Sequence, residues 1–289
     1  MNSASKITII TDSASDMPGN LHNQVTVLPM TISFGDEQFE DGVTLSADEF
    51  YMKLIESDTL PKTSQVSPFA FTSAYETALT HSDAVIVITL SSKLSGTYQS
   101  ACIAAGDYES EHAGSQGKIY IIDSENVTVG EQILIEYALK LINDGLSIAD
   151  ELNSAKKRIR LVALLDTLEY LKKGGRISSS AAFLGNVLKI KPVIAIDNGE
   201  VAILGKARGS KQGNNFLIEQ VNTYGGIDYS MPVLLGYTGC STELIDKYIK
   251  DSSSLWENKI PVPARIKVGA TIGTHIGPGG ITVAFFSTK

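Results

Sequence analysis

The sequence predicts an α/β protein of two α/β units: residues 1–160 with a largely parallel sheet and helices on both faces, and residues 161–289 with a mixed sheet and helices. Three observations carry this. Up to about residue 125, short β-branched runs alternate with helix-like stretches, the pattern of strands joined by crossover helices. The apolar run at 84–90, "AVIVITL", has the length and branching of a strand buried on both faces. After residue 166 the style changes, and "KPVIAIDNGEVAILGKA" reads as a hairpin around Asp197-Asn198-Gly199.

Taken in order, "KITIITD" is a strand and "VTVLPMTISFGDEQFEDG" (25–42) reads as one hairpin. "SADEFYMKLIES" and "SPFAFTSAYETAL" are helices, the second opened by Ser67 with Pro68 at the first helical position. "DAVIVITL" is a strand, a helix follows from Ser95, and "KIYIID" is the next strand. Stretches 127–145 and 147–159 are helical. In the first, Ile133, Leu134, Tyr137, Ala138 and Leu141 recur at helical spacing; the second starts at Ser147 with Glu151 in its first turn. "LVALLD" (161–166) is a strand, and the hairpin and a helix from about residue 210 follow. Then come strand "PVLLGYT", helix "STELIDKYIK", and strands "ARIKVGATIG" and "GGITVAFFS". No Pro- or Ser-rich linker separates the halves, so they are expected to pack closely.

The 289 residues are 43% hydrophobic and 19% charged, enough for a sizeable core, and the net charge of −8 disfavours nucleic acid, which needs a basic stripe. The longest apolar run is far shorter than the roughly 20 residues of a membrane helix, and the chain starts without a secretory signal pattern. No stable membrane insertion and a cytoplasmic location are therefore expected. Cys102 and Cys240 lie far apart without metal-ligand spacing and read as two small core residues in a reducing compartment. There is no P-loop, GxSxG elbow, CxxC or HExxH, so no metal and no cofactor is expected.

Five stretches have the residue types of a site. In "LSSKLSGT", a strand runs through a hydroxyl-rich turn into a helix, placing donors at the carboxyl edge of the sheet. The ordinary explanation is that Ser95 caps the helix and Gly96 relieves crowding. In "KTSQVSP", Thr63, Ser64 and Gln65 precede the capping Ser67 and cannot all serve it. "YLKKGGRISSSAAFLGNVLKIKP" ends a helix at Gly174-Gly175 and starts another near Ser178; Lys172 and Lys173 suit a helix C-terminus, whereas Arg176 on the turn can reach a carboxylate or phosphate. In "GATIGTHIGPGG", His275 lies in a Gly-rich loop after a strand, where a ligand can approach the backbone. "GKARGSKQ" gathers Lys206, Arg208 and Lys211, either a solvated face or a dock for an acidic partner or phosphate. His22, His81 and His112 lack such settings and read as surface residues.

In this order, "TDSASDMP", "EDGVTLSADEFY", "KTSQVSP", "LSSKLSGTYQSA", "TLEYLKKGGRIS", "IKPV" and "GTHIGPGG" closely resemble the DegV family of bacterial fatty-acid-binding proteins, over nearly the whole chain. The resemblance implies two α/β domains with a long-chain fatty acid in a tunnel between them and no catalysis of the protein's own. It also implies, for members of the FakB type, presentation of that acid to an ATP-dependent fatty acid kinase for acyl-phosphate formation. By the same resemblance, Thr63, Ser95 and the Gly96 N–H hold the carboxylate, with His275 completing the site. Arg176 and Arg208 lie near the head group or at the kinase-facing surface. Two departures stand out: Val66 replaces the family's usual proline, which should only loosen a loop, and Gly209 and Gln212 stand where a hydroxyl residue and a lysine are commoner. The second departure weighs against a partner-facing role for Arg208.

Two other readings stay open on sequence alone. One is a serine hydrolase of acyl esters, with Ser95 as nucleophile and His275 as base. The other is a phosphate-ligand sensor built on the Ser95 turn and Arg176. The segment "AAFLGNVLKI", with Phe183, Leu184 and Leu188, suits a tunnel wall and an ordinary core equally well.

Overall fold

The computed structural model describes residues 6–18, 23–144, 148–177 and 190–289. Among them the strands form three sheets. The chain begins with β1 (Ile7–Asp12), β2 (Val25–Leu28), β3 (Thr31–Phe34), β4 (Glu37–Glu40), α1 (Ala47–Glu56) and β5 (Lys62–Ser64). It continues with α2 (Pro68–Leu79), β6 (Ala84–Thr89), α3 (Thr97–Glu111), β7 (Ile119–Asp123), α4 (Thr128–Asp144) and α5 (Ala149–Ala155). Strands β2-β1-β6-β7 make a four-stranded parallel sheet, and β4-β3-β5 a small antiparallel one.

The predicted 25–42 hairpin is thus divided between two sheets. Val25–Leu28 pairs in parallel with β1, and only β3 and β4 form a hairpin, turning at Gly35 with φ +60°. Pro29 is the reason: without an N–H it cannot continue the ladder, and the chain leaves one sheet for the other there. Helix starts follow local chemistry. Glu49 N–H donates to Ser46 Oγ at 3.3 Å while Ser46 N–H donates to Glu49 Oε2 at 2.9 Å, a reciprocal box at the start of α1. At α2, Ala70 N–H donates to Ser67 Oγ at 3.2 Å behind Pro68. Val66, expected only to loosen its loop, is buried at 3% exposure in the main core.

The remainder comprises β8 (Ile159–Leu164), α6 (Glu169–Lys173), β9 (Ile190–Asp197), β10 (Glu200–Arg208), α7 (Gly209–Thr223) and β11 (Val233–Tyr237). It closes with α8 (Glu243–Asp251), α9 (Ser253–Trp256), β12 (Arg265–Lys267), α10 (Ala270–Ile276) and β13 (Ile281–Phe286). The six-stranded sheet β10-β9-β8-β13-β11-β12 is antiparallel except for its β11–β12 pair, the mixed sheet that the sequence predicts. The hairpin turn at Asn198-Gly199 is latched to the end of β6, where Ser91 Oγ donates to Gly199 O at 2.7 Å. One hydrophobic core runs from the parallel sheet through α4 to one face of the six-stranded sheet, and a second lies on its other face beneath α7 and α8.

Two expectations are corrected. The strand "ARIKVGATIG" ends at Lys267, and its second half is the helix α10, so His275 sits on a helix rather than on a loop. Neither cysteine is a core residue: Cys240 is exposed in the turn before α8, and Cys102 is only partly covered on α3. His81 and His112 are exposed, as expected. His22, the start at Ser147, the start near Ser178, and Phe183, Leu184 and Leu188 lie outside the described residues.

Candidate functional site

A cavity lies against the six-stranded sheet, on the face turned toward α4. Strand alternation and register fix its floor: Leu161 opposite Ile196, and Ala163 flanked by Ile194 and Thr282. α10 contributes Thr271, Ile272, His275 and Ile276, and the turn after β6 contributes Leu90, Leu94 and Ser95. The free space, open mouth included, is about 640 Å³. Among the described residues, twelve of its nineteen lining residues are apolar, so most of what fills it must be apolar too.

The polar residues Thr63, Ser95, Arg176 and His275 line this same cavity although they come from four separate chain segments. β5 pairs with β3 and so brings Thr63 to the cavity, where its Oγ1 lies 3.0 Å from His275 Nε2. Ser95 Oγ lies 3.0 Å from Thr97 Oγ1 and accepts the Thr97 N–H at 3.3 Å, so it serves the start of α3 while facing the cavity. After α6 the chain reverses at Gly175, φ +70°, with Arg176 N–H donating back to Leu171 O at 3.0 Å. That turn places the guanidinium against two carbonyls, Nε donating to Leu94 O at 3.1 Å and Nη1 to Gly174 O at 2.7 Å.

Burial, with the Arg176 charge nearby, lowers the His275 pKa to about 4, so the ring is neutral near physiological pH. Its Nδ1 is buried without a partner among the described residues. Gly174 is required beside it, since a Cβ there would stand 2.3 Å from Nδ1. The cluster is therefore made of hydroxyls, a neutral imidazole and a guanidinium: donors that gather without a carboxylate among the described lining residues.

Gly96 is not among the lining residues. It lies under Gln65, whose Oε1 would be 2.1 Å from an added Cβ and whose Nε2 donates to Ser100 Oγ at 2.8 Å. Arg208 is not brought to the cavity either: it is exposed where β10 meets α7, and its N–H donates to Gln212 Oε1 at 2.6 Å. The two departures at this junction have local reasons, since Gln212 accepts that bond and Gly209 adopts φ +73°, which disfavours a side chain. Arg176 also lines a wider, more polar depression with Lys93, Gly175 and Glu200.

The geometry gives the hydrolase alternative no support. Ser95 Oγ partners Thr97, His275 Nε2 partners Thr63, and no carboxylate meets His275 Nδ1 among the described residues. Among these residues there is also no His/Cys/Asp/Glu group able to hold a metal ion, and no helix is long and apolar enough to cross a membrane.

A second polar centre lies around the start of α10, built from Asp12, Asp16 and Asp41 of the "TDSASDMP" and "EDGVTLSADEFY" motifs together with Glu131 of α4. Asp12 and Glu131 are fully buried, and Asp16 and Asp41 lie close by. Burial pushes the pKa of Asp12 up to about 7 and of Asp16 up to about 8, against the pull of the donors each accepts from. Burial also raises Asp41 and Glu131. The signal in the sequence is Asp12, Asp16 and Asp41, set beside small residues in "TDSASD" and "DG".

The family model described as "Uncharacterised protein, DegV family" matches residues 6–288. The DegV domain-containing protein TTE1491 of Caldanaerobacter subterraneus subsp. tengcongensis is 33% identical, with 98% of this chain and 99% of that protein covered. A DegV family protein from Thermus thermophilus, described by its fatty acid binding, superposes with a TM-score of 0.86 at 29% identity, covering 97% of this chain and 99% of its own. The Fak (fatty acid kinase) B3 protein of Streptococcus pneumoniae, solved loaded with linoleic acid, has a TM-score of 0.86 at 21% identity, covering 97% and 99%, and shares the fold.

Proposed function

This chain belongs to the DegV family, and on that premise we propose that it binds a long-chain fatty acid in the cavity, with the carboxylate at Thr63, Ser95 and His275 and with Arg176 close by. In this reading the chain consists of two α/β units that meet near residue 160 and enclose the acid between them. The observation that carries it is the pairing of a mostly apolar cavity with a cluster of donors lacking an acid.

Each buried methylene contributes about 0.8 kcal/mol, so a chain of about 14 offers on the order of 10 kcal/mol before ordering costs. Taking the carboxylate out of water costs several kcal/mol unless donors replace its hydration. Two hydroxyls, an imidazole and a nearby guanidinium supply that replacement. The tail thus provides affinity and the cluster makes burial of the head tolerable.

The same donors leave the carboxylate unmodified. We propose that the chain catalyses nothing itself, works in the cytoplasm, and offers the acid to a separate ATP-dependent fatty acid kinase. Arg176, shared by the cavity and the outer depression, would mark the side of presentation. Native mass spectrometry and lipid extraction of gently purified protein test the binding. A long-chain acid at one per chain is expected; protein that neither carries nor takes one up refutes it. Addition of a bacterial fatty acid kinase and ATP to the loaded protein is expected to yield acyl phosphate, and none should form without the kinase.

A further inference from the structure

α10 is an improbable helix by itself. It has seven residues, of which Thr271, Ile272, Thr274 and Ile276 are β-branched and Gly273 is glycine, a composition that disfavours a helix already too short to hold alone. Its first turn is held from elsewhere in the chain. Gly269 N–H donates to Asp16 Oδ1 at 2.7 Å, Ala270 N–H to Asp41 Oδ1 at 3.0 Å, and Thr271 N–H to Asp41 Oδ2 at 3.0 Å. Three consecutive N–H groups that a helix start leaves unpaired are thus each met by a carboxyl oxygen.

Both carboxylates are themselves fixed. Asp41 Oδ2 also accepts the Thr271 hydroxyl at 2.5 Å and Ser13 Oγ at 3.1 Å, while Asp41 N–H donates to Met30 O at 3.0 Å. Asp16 Oδ2 accepts the Thr128 hydroxyl at 2.5 Å. The same helix has no slack further on, because a Cβ on Gly273 would stand 2.7 Å from both Phe50 Cε1 and Tyr51 Oη. His275 projects from the turn that follows.

We infer that Asp41 and Asp16 are positioning residues for His275: by gripping the first turn of α10 they set the place of the imidazole against Thr63. This extends the fatty-acid reading, but its first readout does not depend on it. The Asp41→Asn variant keeps one acceptor oxygen and presents an amide to the remaining donors, releasing part of the grip at nearly constant volume. Asp16→Asn does the same at Gly269, and Thr271→Val removes one hydroxyl donor with little change of shape.

The test compares these variants with Leu217→Ala, a destabilising change in the second core, away from the cavity. Nitrogen-resolved NMR of the imidazole in ligand-free protein reports tautomer and environment. Displaced His275 signals are expected in Asp41→Asn and Asp16→Asn, smaller displacements in the same direction in Thr271→Val, and none in Leu217→Ala. Oleate affinity of the folded fraction should fall about tenfold in the first two and stay unchanged in Leu217→Ala. If the carboxamide variants lower the melting temperature as Leu217→Ala does but leave the His275 signals at wild type, the two residues only stabilise the fold and the inference is overturned. If the signals move but wild-type protein binds no oleate, the inference stands and the fatty-acid reading fails. Should Asp41→Asn not fold, Asp16→Asn and Thr271→Val decide by the same criteria.

Discussion

The two ends of α10 border opposite chemistries. At its start, buried carboxylates are surrounded by N–H and hydroxyl donors from the same chain, and each oxygen of Asp41 and Asp16 accepts at least one bond. At its end, Thr63, Ser95, Arg176 and His275 gather donors around a cavity with no acid among its described lining residues. The oxygens of Asp41 and Asp16 are all met within the protein, whereas the second cluster presents donors with no acid beside them among the described lining residues. The cavity is thus suited to receive an acid, since the molecule meets its own buried carboxyl groups with N–H and hydroxyl donors at one place and presents similar groups at another.

The comparison is broken most severely by removing the space. Ala163 is 2% exposed on the cavity floor, and Ala163→Trp should displace about four methylenes, about 3 kcal/mol or about a hundredfold in affinity for a long acid, while shorter acids are retained. Titration with acids of graded chain length checks this. Removing donors comes next: Thr63→Val and His275→Ala should each lower affinity for oleate by about 10- to 100-fold with little loss of fold, measured by fluorescent-acid displacement. Gly174→Ala, whose Cβ would press on His275 Nδ1, should cost about tenfold while leaving both partners chemically intact.

The smallest effects are in the pH profile, and the two centres should oppose each other. The His275 pKa is lowered from 6.5 to about 4 in the fold, so its contribution is present above about 6.5 and lost as pH falls toward 4. The Asp12 pKa is raised from 3.8 to about 7, so its contribution is fully present below about 3.8 and lost as pH rises through 7. Each limb can reach about 1.4 kcal/mol per pH unit. Denaturant melts across pH should lose a rise between about pH 4 and 6.5 in His275→Gln and a fall between about pH 3.8 and 7 in Asp12→Asn. A bound carboxylate should raise the His275 pKa, giving proton uptake on binding in mildly acidic buffer.

Much of this was legible in the sequence where causes are local. The Ser46–Glu49 box, the Ser67-Pro68 start and the Asp197-Asn198-Gly199 turn lie within a few residues of what they control, and the sheets follow from β-branched alternation. Thr63, Ser95, Arg176 and His275 were found by residue type and resemblance, and all four line the cavity. What failed has distant causes. α10 reads as a strand because its residues favour one, and the carboxylates that make it a helix lie 229 and 253 positions earlier. The acidic centre was missed for the same reason: Asp12, Asp16 and Asp41 become a cluster only when β1, the turn after β4 and α10 are assembled. Arg208 and Gly96 were joined to the site by motif alone, and the fold leaves them outside the lining.

The convergence of four remote segments on one cavity orders events during synthesis. β5 and the turn after β6 emerge early, whereas α10 lies within the last twenty residues of the chain. A nascent chain can fold its parallel sheet while translation continues, but His275 cannot meet Thr63 until α10 has been made and has left the ribosome. Completion of the cavity is therefore a late event in synthesis, and a product cut short before α10 would lack Thr271, Ile272, His275 and Ile276 from its wall.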